Sequence, residues 1–294
     1  MLELIDVRRS FGETRALDDV SFTVRPGRLT GFIGANGAGK TTTMRIVLGV
    51  LAADGGDVRW RGARVTAEAR RRFGYMPEER GLYPKMGIAD QLVFFARLHG
   101  LTAAAAHRRV AELLAELGLA ERAGDRLEKL SLGNAQRAQV AAALVHDPEL
   151  LVLDEPFSGL DPIAVDTMAV MLRRRAADGV PVLFSSHQLD LVDRLCDDVV
   201  LIHSGRVVAA GSADELRAAH APRRFRIELD ADAGWLRERS DVRVLDVEGP
   251  RALVELAPDT DGRALLSAAL ERGAVVAFAP VVPSLSEIFR EVTR

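Results

Sequence analysis

The chain has 294 residues, 48% of them hydrophobic and 28% charged, with a formal net charge of −3. That length predicts two domains with buried cores, and the charge balance excludes the basic footprint of a nucleic-acid binder. The single cysteine, Cys196, excludes an intramolecular disulfide, and no apolar run reaches the ~18 residues of a bilayer span, so a cytoplasmic protein is expected.

Leu2–Val7 and Leu17–Val24 read as strands, with Phe11-Gly12 in the turn between them and Pro26-Gly27 marking another turn. The first residues alternate like a strand and lack the basic-then-apolar plan of a signal peptide. Leu29–Gly34 is a short apolar strand. It runs straight into Gly34-Ala35-Asn36-Gly37-Ala38-Gly39-Lys40-Thr41, and Thr41–Leu51 reads as the helix behind it. The stretch fits G-x-x-x-x-G-K-[ST], the phosphate-binding P-loop, in the strand–loop–helix context that motif requires. Glycines let the backbone curl so that several N–H groups face one anion, and the helix adds its positive end. Lys40 is one of only three lysines against 36 arginines. It supplies a compact charge on a thin stem, where a planar guanidinium would fit poorly. Thr41 offers a hydroxyl to Mg²⁺. The nucleotide-binding expectation covers Asn36, Gly37, Ala38, Gly39, Lys40, Thr41 and Thr42, with a nucleoside triphosphate and Mg²⁺ as the ligands.

From Ile88 to about His146 the pattern turns all-helical, with Ile88–His99, Ala103–Leu117 and Asn134–Val145 as helices and Gly100 and Gly118 as stops. Leu150–Leu153 follows, a continuous apolar run of the kind buried in a parallel sheet. It ends in Asp154-Glu155, a Walker B pattern, in which Asp154 is placed to hold Mg²⁺ and Glu155 to polarise the attacking water as general base. Helix Ala164–Ala177, strand Pro181–Ser185, helix Leu189–Cys196 and strand Val199–His203 continue the alternation that argues for a parallel sheet. His187 follows the strand expected beside Leu150–Leu153, at the carboxyl end where such sheets bind ligands. It is a candidate to sense the γ-phosphate and orient the water.

The character shifts near Ala219-His220-Ala221-Pro222. Beyond it, strand Arg223–Leu229, helix Ala233–Arg239, strands Val242–Val247 and Ala252–Leu256, helix Gly262–Arg272 and strand Ala274–Phe278 give the order βαββαβ, a ferredoxin-like α+β arrangement. Helix Ser284–Val292 closes the chain. Residues 220–294 hold 11 arginines and 13 acidic residues, so this part also lacks a basic face.

Read together, these motifs resemble the ATP-binding subunit of an ABC transporter. The deciding feature is Leu130-Ser131-Leu132-Gly133-Asn134-Ala135-Gln136, which is similar to the family's signature, most often Leu-Ser-Gly-Gly-Gln. The resemblance covers residues 1 to about 215. It implies that the triphosphate is ATP, bound with Mg²⁺ as cofactors of an α/β P-loop NTPase cassette, residues 1–218, with an antiparallel β subdomain and an inserted helical subdomain at about 86–148. Residues 219–294 form a separate C-terminal domain. In that family two cassettes pair head to tail, and the signature of one closes over the nucleotide on the P-loop of the other. Ser131, Gly133 and Asn134 are therefore implied to bind a partner's nucleotide. Ser158-Gly159-Leu160-Asp161 resembles the loop that crosses the dimer interface, and Phe11 stands where an aromatic ring stacks on adenine.

Two positions depart from the pattern. Glu78, in Gly74-Tyr75-Met76-Pro77-Glu78-Glu79-Arg80, replaces the family's usual glutamine and remains a candidate Mg²⁺ ligand, since a carboxylate is a hard oxygen donor. Leu132 replaces a glycine, so the backbone there must avoid positive φ. Both departures resemble a subgroup of bacterial exporters related to the sodium-extrusion and daunorubicin-resistance types. That subgroup also carries a C-terminal domain ending much like Pro283-Ser284-Leu285-Ser286-Glu287-Ile288-Phe289. The implied partners are a membrane-spanning permease and a second, identical cassette, with no nucleic acid. The implied location is peripheral, at the inner face of the cell membrane. The competing reading is a soluble ATPase of the same type acting on ribosomes or DNA. The single P-loop and the absence of a charged linker or heptad stretch count against it.

Overall fold

Leu29–Ile33, Leu150–Leu153 and Val182–Ser186 are buried along their whole lengths, as strands must be when both faces of a sheet are covered. The computed structural model describes residues 1–79, 81–219, 223–257 and 260–293, which divide into one unit of Met1–Ala213 with the chain end from Val292 and a second unit of Asp214–Glu291. The first unit begins β1 (Leu2–Phe11), β2 (Thr14–Val24), β3 (Leu29–Ile33), α1 (Lys40–Val47), β4 (Gly55–Trp60), β5 (Ala63–Arg64), α2 (Ala67–Arg70) and β6 (Phe73–Met76). Helices α3 (Ile88–Leu98), α4 (Ala103–Glu116) and α5 (Leu132–Leu144) follow. The chain then returns through β7 (Leu150–Leu153), α6 (Pro162–Ala177), β8 (Val182–Ser186), α7 (Leu189–Leu195), β9 (Asp198–His203) and β10 (Arg206–Ser212).

Two sheets result. The order β2-β1-β4-β5 is antiparallel, and β10-β9-β3-β8-β7-β6 is parallel except for β10. A shared core lies between them, where Phe22 of β2 meets Phe32 of β3 with ring centroids 5.1 Å apart. Strand β8 separates β3 from β7 in register, with Ile33 opposite Ser186 and Leu153 opposite Phe184. The turns after β3, β7 and β8 therefore open at one level.

Several elements differ from the sequence expectation. Helix α1 stops at Val47 rather than Leu51, because Gly49 takes φ +72° just past its end and caps it in the left-handed region. Strands β4, β5, β6 and β10 carry little or no apolar alternation, so local pattern does not predict them. Strand β6 is only four residues long and contains Gly74, where a β-carbon would stand 2.3 Å from the Ala143 carbonyl of α5. Among the described residues no helix is long and apolar enough to cross a membrane.

The second unit holds β11 (Arg224–Leu229), β12 (Val242–Glu248), β13 (Arg251–Leu256), α9 (Gly262–Leu270) and β14 (Val275–Pro280), after α8 (Ala213–Ala219) and before α10 (Leu285–Val292). Its antiparallel order β12-β13-β11-β14 is the ferredoxin-like one. The helix expected at Ala233–Arg239 is instead a short 3-10 segment, Gly234–Glu238. Asp232 takes the Gly234 N–H at 2.6 Å and tightens the entry, and Leu236 is the segment's buried side chain. The division expected between residues 218 and 219 falls inside α8. His220, Ala221 and Pro222, like Arg80, lie outside the described residues.

His99 and His146 stack just beyond α3 and α5, with centroids 3.9 Å apart, and His146 Nε2 lies 3.2 Å from the Phe73 carbonyl. Burial first, and the His99 ring second, lower the His146 imidazole from 6.5 to about 4. The folded state therefore favours the neutral ring, and the unfolded chain takes up the proton first as pH falls. The associated stability is present above pH 6.5 and is lost progressively down to about 4. Urea unfolding across that window should show a decline of about 1–2 kcal/mol that a His146→Gln protein lacks, the figure being discounted for the ring's partial exposure.

Candidate functional site

The turn from β3 into α1 is built for an anion. Gly37 and Gly39 take φ +79° and +109°, and a β-carbon at Gly39 would collide with Leu17 Cδ2 at 2.6 Å and the Ala16 carbonyl at 2.9 Å. The loop closes on itself through Ala38 N–H to Ala35 O at 3.1 Å. Helix geometry leaves the N–H groups of the first turn of α1 without intrahelical acceptors. Lys40 is 7% exposed, and its ammonium donates to Gly34 O at 2.7 Å and Ala35 O at 3.3 Å.

Opposite this turn stand the carboxylates that end β7. Asp154 is buried, and one of its oxygens accepts from Ser185 Oγ at 2.5 Å. The same hydroxyl oxygen accepts the Glu155 N–H at 2.8 Å. Glu155 has φ +52°, uncommon for a residue with a β-carbon, and its carboxylate lies 3.0 Å from His187 Nδ1. A cavity of about 330 Å³ is lined by Ala16, Asn36, Gly37, Gly39, Lys40, Thr41, Thr42, Glu78, Asp154 and Glu155. Nine residues expected from the sequence thus share one cavity, with His187 attached through Glu155. Ala38 is buried beneath the loop rather than facing the cavity.

Three carboxylates face a single ammonium across this cavity. Tyr75 registers that field: its hydroxyl is raised above the ordinary phenol range, first by burial and then by the charge of Asp154, with a smaller push from Glu78. The second Asp154 oxygen is buried with no hydrogen-bond partner. A buried, unpartnered carboxylate oxygen beside a threonine hydroxyl and another carboxylate fits a hard divalent cation. Among the described residues no cluster of three or more His, Cys, Asp or Glu forms a closed metal cage. Such a cluster is not needed by a cation that takes most of its ligands from phosphate and water.

The remaining expected residues lie outside the cavity. Ser131 and Asp161 are exposed and cap α5 and α6, accepting the N–H groups of Asn134 at 3.3 Å and Ala164 at 2.8 Å. Gly133 and Asn134 belong to the first turn of α5, and the Asn134 side chain accepts from Arg137. Leu132 is the first helical residue, at ordinary φ, and packs on Gly159, where a β-carbon would stand 2.5 Å from Leu132 Cδ2. The leucine thus joins the segment after Ser131 to the loop before Asp161. Phe11 is half exposed at the end of β1, under the Arg9 guanidinium at 4.9 Å. The sequence reading missed Ala16, Ser185 and Gln136. Two consecutive serines closing an apolar strand were a signal for Ser185, because a buried hydroxyl demands a partner. Ala16 had no signal.

Residues 17–158 match the family model described as ABC transporter, and residues 211–293 match ATP-binding protein DrrA1-3-like, C-terminal domain. Among similar proteins is the uncharacterized ABC transporter ATP-binding protein YhaQ of Bacillus subtilis (strain 168). It is 34% identical over 291 residues, 99% of this chain and 98% of that protein. The linearmycin resistance ATP-binding protein LnrL of the same organism is 34% identical over 74% of this chain and 70% of its own length. The Nod factor export ATP-binding protein I of Paraburkholderia xenovorans (strain LB400) is 38% identical over 74% of this chain and 73% of its own. A solved ATP-binding subunit of an ABC transporter superposes with a TM-score of 0.69 at 34% identity, over 74% of this chain and 92% of that one.

Proposed function

Because the chain belongs to the ATP-binding subunits of ABC transporters, which hydrolyse ATP to power transport, we propose that it drives export through a separate membrane permease, closing as a pair of identical cassettes over MgATP. The observation that carries the reading is the cavity joining Lys40 and Thr41 to Asp154 and Glu155. The export direction is supported by the C-terminal family match and by relatives named for linearmycin resistance and Nod factor export. Reception of the permease by the helical insertion is supported by an apolar cavity of about 300 Å³ there. Tyr75, Pro77, Leu82 and Phe95 are among its lining residues, and Pro77 adjoins Glu78.

The chemistry follows from the residues. The glycine-rich turn and the start of α1 cradle the phosphates with N–H groups, and Lys40 exchanges the carbonyls of Gly34 and Ala35 for β- and γ-phosphate oxygens. Thr41, Asp154 and Glu78 supply oxygens for Mg²⁺, which when bound offsets the charge of the phosphates. Glu155 takes a proton from water as the water oxygen bonds to the γ-phosphorus. The bond from that phosphorus to the bridging oxygen breaks, and ADP and phosphate leave. His187 holds the Glu155 carboxylate through Nδ1 and presents its other ring nitrogen for the γ-phosphate. Phe11 stacks on adenine. Ser131, Gly133 and Asn134, at the free N-terminus of α5, close on the nucleotide of the partner cassette, beside Asp161.

Steady-state ATPase assays test the base. A Glu155→Gln protein should lose at least about a hundredfold in turnover, keep MgATP binding and form a tighter ATP-dependent dimer in sedimentation. Turnover at the native rate would remove Glu155 from the mechanism. A Mg²⁺ titration tests Glu78: Glu78→Gln should need more Mg²⁺ for half-maximal turnover, and coincident titrations would remove Glu78 from the ligand set.

A further inference from the structure

Gln136 lies on α5, the helix whose exposed end carries Ser131 and Gly133, and is itself 6% exposed. Its side-chain Nε2 donates to the Glu155 carbonyl at 2.9 Å and to the Pro156 carbonyl at 3.2 Å. Those carbonyls belong to the segment that presents the Glu155 carboxylate to the cavity. At φ +52° Glu155 occupies a left-handed conformation that its β-carbon disfavours, and such conformations persist where the surroundings over-determine them. The segment is held from several sides. Asp154 N–H donates to Met76 O at 2.8 Å, Glu155 N–H to Ser185 Oγ at 2.8 Å, and Ser158 N–H to Glu155 O at 3.2 Å. Ser185 and Met76 belong to strands of the sheet. Gln136 alone among these anchors comes from the helix of the signature.

We propose that Gln136 is a positioning residue for ATP hydrolysis, which holds the Glu155–Pro156 backbone so that the carboxylate faces the water. It thereby couples the signature of a chain to the base of that same chain. The inference rests on the reading of Glu155 as base and of Ser131 and Gly133 as a clamp on the partner's nucleotide. Under that reading the two ends of the tie serve different nucleotides. Ser131 and Gly133 touch the partner's, whereas Glu155 acts on the chain's own. A helix is stiff over two turns, so a shift of the start of α5 on closure carries Gln136 with it, and a hydrogen bond near 3 Å obliges the Glu155 peptide to follow. Each half-site would then report its closure to the other through one side chain.

Gln136→Met keeps the length and bulk of the side chain and removes both amide donors. It should lower kcat roughly tenfold, the equivalent of one buried hydrogen bond, and leave the KM for ATP within about twofold. In a Glu155→Gln background, followed by single-turnover assays with labelled ATP, the same substitution should change the residual rate less than about twofold, because the group it positions is gone. An equal loss in both backgrounds, or no loss in the native one, would overturn the proposal. Gln136→Glu gives an independent readout should the methionine variant fold poorly. Its carboxylate cannot donate and its protonated acid can, so its rate relative to the native protein should rise as pH falls. A pH-independent ratio would overturn the coupling. Native turnover by Glu155→Gln alone would instead mark a failure of the base assignment, independently of Gln136.

Discussion

The site depends on the parallel pairing of β3, β8 and β7. With Ile33 opposite Ser186 and Leu153 opposite Phe184, the glycine turn, the Asp154-Glu155 pair and the serine-histidine turn emerge on one edge of the sheet. A slip of one residue in either pairing would exchange side chains between the two covered faces of the sheet. The complete burial of all three strands opposes such a slip. Ser185 converts this register into chemistry. Its hydroxyl donates to Asp154 and receives the Glu155 N–H, so the two acidic residues hold different orientations although they are adjacent in sequence. Asp154 is turned inward with an oxygen to spare, and Glu155 is turned toward His187 and the cavity.

Charge distribution explains why lysine is retained at position 40 in a chain that otherwise uses arginine for nearly all of its cations. The ammonium sits in a buried niche made by two loop carbonyls, which satisfy donors on a point charge and would leave much of a planar fork unpaired. Three carboxylates around one such cation leave the cavity negative, and triphosphate adds more of the same sign. A divalent cation would relieve both, and the buried Asp154 oxygen without a hydrogen-bond partner fits one.

The cassette was legible in the sequence where local pattern and chemistry coincide. The apolar runs of β3, β7 and β8, the glycine spacing of the P-loop and the capped helices of the insertion are all local signals. What escaped is non-local or weakly patterned. Strand β10 lies at the edge of its sheet and β4 opens on Gly55-Gly56, so neither alternates cleanly, and β6 is short and broken by Gly74. The 3-10 segment at Gly234–Glu238 shows helical composition overruled by an Asp232 turn. Gln136 lies 19 residues from Glu155 along the chain, and Ser185 reaches across a strand pairing, so neither tie leaves a periodic trace. Leu132 departs from the family pattern at a glycine position and is accommodated by Gly159, whose bare α-carbon it covers.

The exposed helix starts at Ser131 and Asp161, neither of which lines the cavity of its own chain, make sense if each nucleotide is enclosed by two chains. Subunit mixing tests this division most directly. In a Glu155→Gln background that retains nucleotide, one population carries Lys40→Ala and another Ser131→Glu, and nucleotide occluded in the dimer is counted. A divided site puts both lesions of a mixed dimer into one composite site and leaves the other intact. Each population alone should then hold none, and the mixture should recover about one nucleotide per mixed dimer. A mixture that traps no more than its components would contradict the divided site.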